Sequence, residues 1–547
     1  MKKVLIIGSG IAGLSSAVSC ASRGMHVTLV SPFPSERAQS VMAAGGINAV
    51  LKDCEEGDSV ESHIEDTIKG GSGIAGEKAV RGLCENAQDV IRYLEGIGTV
   101  FTLDADGKLA RRAFGGQSHK RTCFCGTSTG KQIVSALVME ARRFEARGMI
   151  TRRLSCGFYE GLISDGACFG AVLFDMAANR LENVYADALI IATGGQNALF
   201  GKTTGSTQCD GYAAGKLYMQ GAKLKNLEFI QYHPTAIETA QKRMLISEAV
   251  RGEGGRLFYI ENGKRVYFME DKYGARGNLM TRDVVSREIY ACGKDVFLDI
   301  SFLDRKTIES RLAEVQELCL KYRGLDITKE PIPVSPSVHF FMGGLAVHLN
   351  HETNIRNLYA VGECASIYHG ANRLGGNSLL AAVYSGRVAA ASIAERKEEP
   401  VKIPTAEFDA ALAASQEKLL KQSASESSFP VMYIRDMLAQ TMQEKLGIVR
   451  SAQELESGTK DVDYYLSVSE KLRYDSTVSA YYNYTLPAIL TLAKAFFACA
   501  QARKESRGAH YRSDFPEKSE DFACASIVSY DEGKHTVTLD RGREYEG

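Results

Sequence analysis

Three glycines with the spacing Gly8-x-Gly10-x-x-Gly13 stand near the start of the chain. They follow an apolar strand at Val4–Ile7 and open an amphipathic helix, after which Val27–Val30 is a second strand. Glycines at this spacing let the backbone N–H groups of a helix N-terminus approach a phosphate closely. The unit therefore predicts a site for the pyrophosphate of a dinucleotide, in preference to a turn that is merely rich in glycine.

Ser31 occupies the place after the second strand where an acidic residue would select NAD. A hydroxyl can hold an adenosine ribose, but it gives no argument for NAD. Two more apolar strands, Ala188–Ala192 and Leu358–Val361, end in turns of the ligand-facing type. These turns contain Thr193, Gly194, Gly195 and Glu363.

The pair Cys123 and Cys125 invites a redox interpretation, but the spacing is C-x-C and no partner cluster follows. On a strand these two side chains share one face, which favours buried, inert thiols. The sequence contains no iron–sulfur or c-type haem spacing and no metal site is predicted. The cysteines therefore indicate no redox centre of their own in this sequence.

The elements that position these residues predict an α/β protein with a Rossmann-like nucleotide-binding domain. We assign this domain to residues 1–232 and 346–400, interrupted by an α+β capping domain at 233–345. Residues 401–547 have a helical pattern, with an apolar helix at Thr485–Arg503, and end in a short tail.

Composition excludes several classes of function. The 547 residues carry a net charge of −1, so no basic field indicates nucleic acid as a partner. The apolar runs are expected to be too short to span a bilayer, and the apolar start of the chain is too short for a secretion signal. The 13 cysteines are an odd number in a large chain, typical of reduced thiols in the cytoplasm.

Further motifs resemble one flavoprotein family in order, from Lys3 to about Phe515. The family comprises the flavoprotein subunits of succinate dehydrogenase and fumarate reductase, with L-aspartate oxidase as a close relative. The segments that carry the resemblance are Tyr232–Thr235, Ser247–Gly255, Thr281–Asp283, His339–Gly344, Ala360–Glu363, His369–Ser378 and Arg503–His510.

The resemblance implies FAD in an elongated pocket beneath the capping domain. It also assigns flavin-binding roles that agree with the strand-end turns described above. The residues concerned are Gly8, Gly10, Gly13, Ser31, Gln39, Ser40, Gly45, Gly46, Thr193, Gly194, Gly195, Glu363, Asn377, Ser378 and Leu379. Asn377 and Ser378 have an alternative role as caps of a following helix at Leu379–Ala394.

The resemblance also implies a dicarboxylate substrate, fumarate or succinate. Its carboxylate clamp corresponds to His233, Ser247, His339 and Arg373. Arg282 corresponds to a proton-donating arginine, and Glu248 and Arg251 correspond to the relay that returns its proton. An arginine acid is unusual because its resting pKa is far above neutral.

Two departures from the family pattern separate its members. Gln39 stands where many members carry the histidine that binds FAD covalently, so we expect non-covalent FAD and a preference for fumarate reduction. Phe114 stands where aspartate oxidases carry a glutamate for the substrate ammonium, which favours a substrate without an amine. L-aspartate oxidase stays the alternative, and a non-catalytic flavin-binding relay subunit is an alternative of another class.

The resemblance further implies that the partner is an iron–sulfur subunit, with a membrane anchor reached through it. The expected location is the cytoplasm, or the inner face of the cell membrane as a peripheral subunit. The tail after the Arg503–His510 motif is short, so docking of such a partner is expected to be reduced.

Overall fold

The computed structural model describes residues 1–126, 128–240, 242–397, 402–422, 430–469, 471–472, 477–541 and 545. Five parallel strands form the central sheet; the side chains of the inner strands are mostly buried, whereas the edge strand Ile150–Leu154 is largely open to solvent. Buried parallel strands with helices on both faces are typical of α/β nucleotide-binding folds. In spatial order the strands are Leu358–Ala360, Ala188–Ile191, Lys3–Ile7, His26–Ser31 and Ile150–Leu154.

The helix after the glycine loop, Ile11–Ser22, is packed between two other helices, Thr129–Glu145 and Asn377–Glu395. A Cβ on Gly386 would lie 2.8 Å from the carbonyl oxygen of Ala12, so this glycine permits close contact between helices. Other helices of this part are Val60–Gly70, Glu77–Glu85, Ala87–Gly96 and Tyr212–Met219, and 3-10 turns lie at Ser35–Arg37, Gln39–Met42, Asn197–Phe200 and Gly362–Cys364.

Two small antiparallel sheets flank the central one. The first contains Cys156–Ser164, Ala167–Asp175 and Arg180–Tyr185; the second contains Ile47–Asn48, Thr122–Cys123 and Arg111–Arg112. The strand at Cys123 ends there, so Cys125 lies beyond it and the predicted shared strand face does not form. Both thiols are nevertheless buried, and burial raises the pKa of each to about 12.

The capping domain is built on a six-stranded sheet with its own apolar core, which contains Ile237, Leu298 and Val334. The limits 233 and 345 stay a prediction. The strands in order are Arg243–Leu245, Ile230–Glu238, Ile332–Phe341, Val296–Asp299, Arg256–Glu261 and Lys264–Val266. The helices are Ala249–Gly252, Phe268–Tyr273, Arg282–Cys292, Arg305–Arg311 and Ala313–Arg323, with a 3-10 helix at Gly274–Leu279.

The C-terminal part is helical and then returns to the nucleotide-binding domain. Its helices are Thr405–Gln422, Val431–Lys445, Ala452–Ser469 and Thr477–Ala502, followed by a 3-10 turn at Glu520–Phe522. The tail hairpin completes a five-stranded sheet ordered Ala365–Ser366, Gly344–Ala346, Leu224–Lys225, Ala525–Asp531 and Lys534–Asp540. The predicted α/β class, with an inserted α+β domain and a C-terminal helical domain, is confirmed.

One expectation about the helical part needs correction. Within the described residues, Asn483–Ala502 is long and apolar enough to cross a membrane, whereas no such run was expected from the sequence. In its apolar window 72% is buried inside the protein, so the helix serves as a core element here. The helix also begins at Thr477 rather than Thr485, which places Pro487 in its interior instead of its first turn.

Candidate functional site

A cavity of about 650 Å³ runs along the carboxyl ends of the parallel strands and under the capping domain. Ligands of open α/β sheets bind at this edge. Of the predicted cofactor residues, those that line it are Gly8, Gly10, Ser31, Gln39, Ser40, Thr193, Gly194, Glu363, Ser378 and Leu379.

Four other predicted glycines make close contacts beside the cavity. A Cβ on Gly13 would lie 1.8 Å from the carbonyl oxygen of Gly8, so the glycine lets the helix pack on the strand. A Cβ on Gly195 would meet the carboxylate of Glu363 at 2.5 Å, and one on Gly46 would meet a backbone oxygen at 2.4 Å. Gly45 lies against the ring of Phe114.

Asn377 is the first residue of its helix, which begins two residues earlier than expected and has Gly376 at the N-cap. Its side chain bonds within the protein core: Oδ1 accepts from Asn48 Nδ2 at 2.8 Å, and Nδ2 donates to Thr67 Oγ1 at 3.0 Å. His63 Nε2 lies 3.0 Å from the same Oδ1. The structure therefore places this amide in a buried polar network beside the cavity.

Glu363 presents a buried carboxyl to the cavity. Burial raises its pKa to about 7, although the N–H of Phe341 donates to it at 3.1 Å and opposes the shift. Such a group is suited to hydrogen bonds with ligand hydroxyls.

Within the capping domain, Arg282, Glu248 and Arg251 form a buried charged chain. Arg282 donates to Glu248 Oε2 from both Nε (2.9 Å) and Nη2 (2.7 Å), and Arg251 Nη2 lies 3.4 Å from Oε1. Burial alone would raise the pKa of Glu248, but the two guanidiniums outweigh it and hold the pKa at about 2. Glu248 is therefore an anion held between two cations.

Arg373 approaches the same place from the loop before the helix Asn377–Glu395. Its guanidinium lies 4.3 Å above the ring of Phe340, and its Nη2 donates to Gln231 Oε1 at 3.0 Å. Arg282 Nη1 donates to the same oxygen at 3.0 Å. Sequence reasoning missed Gln231, whose only signal is its place two residues before His233.

His233 and His339 face each other with ring centroids 5.2 Å apart. His339 Nδ1 lies 2.9 Å from Thr204 Oγ1, and His233 Nδ1 lies 3.1 Å from the carbonyl oxygen of Thr235. Burial, followed by the charge of Arg282, lowers the pKa of both rings well below 6.5. Both rings are therefore neutral directed hydrogen-bond groups.

We expect neither histidine to cause an inflection in the pH profile of kcat/KM between about pH 5 and 8, because both rings stay neutral in the free enzyme throughout that range. The measurement is the pH profile of the wild type and of His339→Gln. The two profiles should have the same shape at different heights. An inflection that disappears in the variant contradicts the prediction.

Two further predicted positions lie around this chain. Ser247 lines the cavity, and its Oγ accepts from the N–H of Ala249 at 3.3 Å. The Phe114 ring is buried, and a Cβ at Gly375 would lie 3.1 Å from its Cδ2 atom. The next N–H along the chain, at Gly115, donates to Glu248 Oε1 at 2.9 Å.

The cavity fits FAD. It begins at a helix N-terminus whose N-cap is Gly10, with no side-chain cap and no acidic residue in the first turn, as a pyrophosphate site requires. It extends to His339 and to Glu363. A Rossmann-like domain with such a cavity, closed by a second domain that carries charged residues, defines an FAD-dependent oxidoreductase.

Comparisons with known proteins give the particular family. The family model "FAD binding domain" matches residues 3–379, and "Fumarate reductase flavoprotein C-term" matches residues 435–544. The succinate dehydrogenase flavoprotein subunit of Bacillus subtilis is 36% identical over 95% of this chain and 92% of its own length. The fumarate reductase flavoprotein subunit of Haemophilus influenzae is 33% identical over 94% of this chain and 91% of its own length.

Among solved structures, a quinol fumarate reductase chain from E. coli superposes with a TM-score of 0.91 and 29% identity, covering 98% of this chain and 97% of that one. The chain therefore belongs to the family of succinate dehydrogenase and fumarate reductase flavoprotein subunits. The prediction of an FAD-dependent oxidoreductase from this family is confirmed.

Proposed function

We propose that this subunit interconverts fumarate and succinate, with Arg282 as the proton donor for fumarate reduction. The observation that carries the proposal is the buried chain Arg282–Glu248–Arg251, with a third buried arginine, Arg373, that shares the acceptor Gln231 Oε1 with Arg282. Two guanidiniums and two neutral histidines suit a dianion with a carboxylate at each end.

FAD, when bound, supplies the hydride at flavin N5. The forked guanidinium of Arg373 holds one substrate carboxylate, and His233, His339 and Ser247 offer directed hydrogen bonds around the substrate. Arg282 releases a proton from its guanidinium to the alkene carbon that does not receive the hydride. Once Arg282 has released its proton, Glu248 loses one of the two cations that hold it ionised, so it can take up a proton from the side of Arg251 and pass it to Arg282.

Fumarate turnover by the purified protein tests this proposal. With a reduced viologen as electron donor, the wild type should reduce fumarate to succinate, and with an oxidising dye it should run the reverse reaction more slowly. Absence of both activities in protein that contains FAD would contradict the proposed function.

Gln39 supports non-covalent FAD, since its amide cannot form the bond that a histidine makes at this place. Gln39 lines the cavity within the 3-10 turn Gln39–Met42. We expect all flavin to separate from the protein after denaturation and filtration, which flavin absorbance of the filtrate measures. Flavin that stays with the unfolded chain contradicts this prediction. Loss of the covalent bond also supports a preference for fumarate reduction.

Phe114 supports a substrate without an amine, because its ring offers no anion to an ammonium group. We expect L-aspartate with oxygen to give less than about 1% of the rate with fumarate. Hydrogen peroxide and iminoaspartate formation measure that rate. Rapid oxidation of aspartate would favour the alternative, an L-aspartate oxidase.

The relatives are named as subunits, which supports a partner for electron exchange. We propose that this partner is an iron–sulfur subunit on the cytoplasmic side of a membrane. The sequence itself has no iron–sulfur cluster spacing, and across the described residues no group of three or more metal-ligating side chains is found. Co-purification of the native complex with iron analysis tests this proposal.

A further inference from the structure

A closed ring of hydrogen bonds joins the capping domain to the loop that carries Arg373. Asn372 Nδ2 donates to Asp283 Oδ1 at 2.9 Å, and Gln231 Nε2 donates to Asn372 Oδ1 at 2.7 Å. Arg282 Nη1 donates to Gln231 Oε1 at 3.0 Å. Because Arg282 directly precedes Asp283 in the chain, these three hydrogen bonds and the peptide bond between the two residues form a closed ring.

Asp283 at one end of this ring, and the two donor-only guanidiniums at the other, require the same direction for its hydrogen bonds. A carboxylate only accepts, so Asn372 must turn its Nδ2 toward Asp283 and its oxygen toward Gln231. Gln231 must then turn its Nε2 toward Asn372, where it also donates to the carbonyl oxygen of Arg373 at 2.8 Å. The oxygen of Gln231 is left to face the two guanidiniums.

Gln231 Oε1 lies between two positively charged guanidinium groups. Arg282 and Arg373 are both buried, and both donate to Gln231 Oε1 at 3.0 Å. Burial, followed by the charge of Arg282, lowers the pKa of Arg373. A shared acceptor reduces the repulsion between the guanidiniums and fixes their separation, whereas a reversed amide would present an NH₂ group to both.

We propose that Asp283 and Asn372 are positioning residues for proton transfer, an inference that rests on the proposed function. They hold Gln231 so that the proton donor and the arginine of the carboxylate clamp keep one relative position. Asp283 is the second residue of the capping helix Arg282–Cys292, and Asn372 belongs to the FAD-binding domain. The alignment of donor and clamp therefore depends on docking of the two domains.

The first test replaces Asn372→Asp, which sets a carboxylate against Asp283 with almost no change of shape. We expect kcat for fumarate reduction to fall about thirtyfold while KM changes less than about threefold, because the substrate clamp remains but the donor is displaced. Asn372→Ser, too short to reach Asp283, should lose about tenfold in kcat without adding charge. FAD content and unfolding temperature are measured for each variant.

The second test exchanges the pair. In the double variant, Asn372→Asp with Asp283→Asn, the new asparagine can donate to the new aspartate. Gln231 can still donate to the other carboxylate oxygen of that aspartate. We expect this double variant to regain about tenfold or more of the kcat lost by Asn372→Asp. Asp283→Asn alone keeps an acceptor oxygen and should stay within about threefold of wild type.

The chain contains a matched control in Asn183, whose Nδ2 donates to Asp409 Oδ1 at the same 2.9 Å distance in an exposed place. Asn183→Asp should leave kcat unchanged. If the double variant is no faster than Asn372→Asp, or both Asn372 variants match wild type, this inference is wrong. Failure of the proposed function is distinct, because Arg282→Ala would then retain wild-type turnover.

Discussion

Replacing Arg282→Ala should lower kcat for fumarate reduction by about a thousandfold, within the range measured for loss of a general acid. The side chain makes three hydrogen bonds at once, two to Glu248 and one to Gln231. Steady-state turnover with a reduced viologen measures the loss, and FAD content shows whether the cavity is intact.

Arg276→Ala is the matched control. It removes an exposed arginine from the 3-10 helix Gly274–Leu279, which directly precedes the helix that begins at Arg282. We expect its kcat to equal that of wild type. The deficit in Arg282→Ala should persist from acid to alkaline pH, because the missing group cannot be replaced by a change in protonation. Wild-type turnover in Arg282→Ala would contradict the assignment of this residue as proton donor.

Replacing Arg503→Met should destabilise the protein by about 3–5 kcal/mol, the cost of leaving the buried carboxylate of Glu228 without its guanidinium partner. Arg503 is fully buried and bonds to Glu228 Oε1 at 2.6 Å and to Glu505 Oε1 at 2.9 Å. It also donates to the carbonyl oxygens of Phe522 and Cys524. Methionine preserves part of the volume but removes the donors that these anions and carbonyls share.

The measurement is the midpoint of urea unfolding followed by flavin fluorescence and circular dichroism. Arg541→Met removes an exposed ion pair at 3.7 Å to Asp521 in the same tail, so its midpoint should equal that of wild type. An Arg503→Met protein with a wild-type midpoint would show that this buried network contributes nothing to stability.

The sequence predicted the parts of the site that depend on local pattern. The glycine loop, the strand-end turns and the motifs around His233, Arg282 and Arg373 are each readable over a few residues, so their elements and order could be inferred. The double strand–turn pattern also predicted which edge of the sheet would carry the ligand cavity.

What could not be predicted depends on contacts between distant segments. Gln231 accepts hydrogen bonds from Arg282 and Arg373, which lie 51 and 142 positions further along the chain. No local pattern indicates these contacts. Gly13 lies against the carbonyl oxygen of Gly8 and Gly195 lies against the carboxylate of Glu363, contacts that are visible only in three dimensions. Asn377 likewise bonds to residues 329 and 310 positions away.

The order of strands in the central sheet has a consequence for synthesis. The strand Leu358–Ala360 pairs with Ala188–Ile191, and the tail strand Ala525–Asp531 pairs with Leu224–Lys225. A nascent chain that has emerged only as far as the capping domain lacks one edge of the sheet and the wall that Glu363 provides. We therefore expect FAD to bind only after Glu363 has been synthesised, since until then one edge of the sheet and one wall of the cavity are missing.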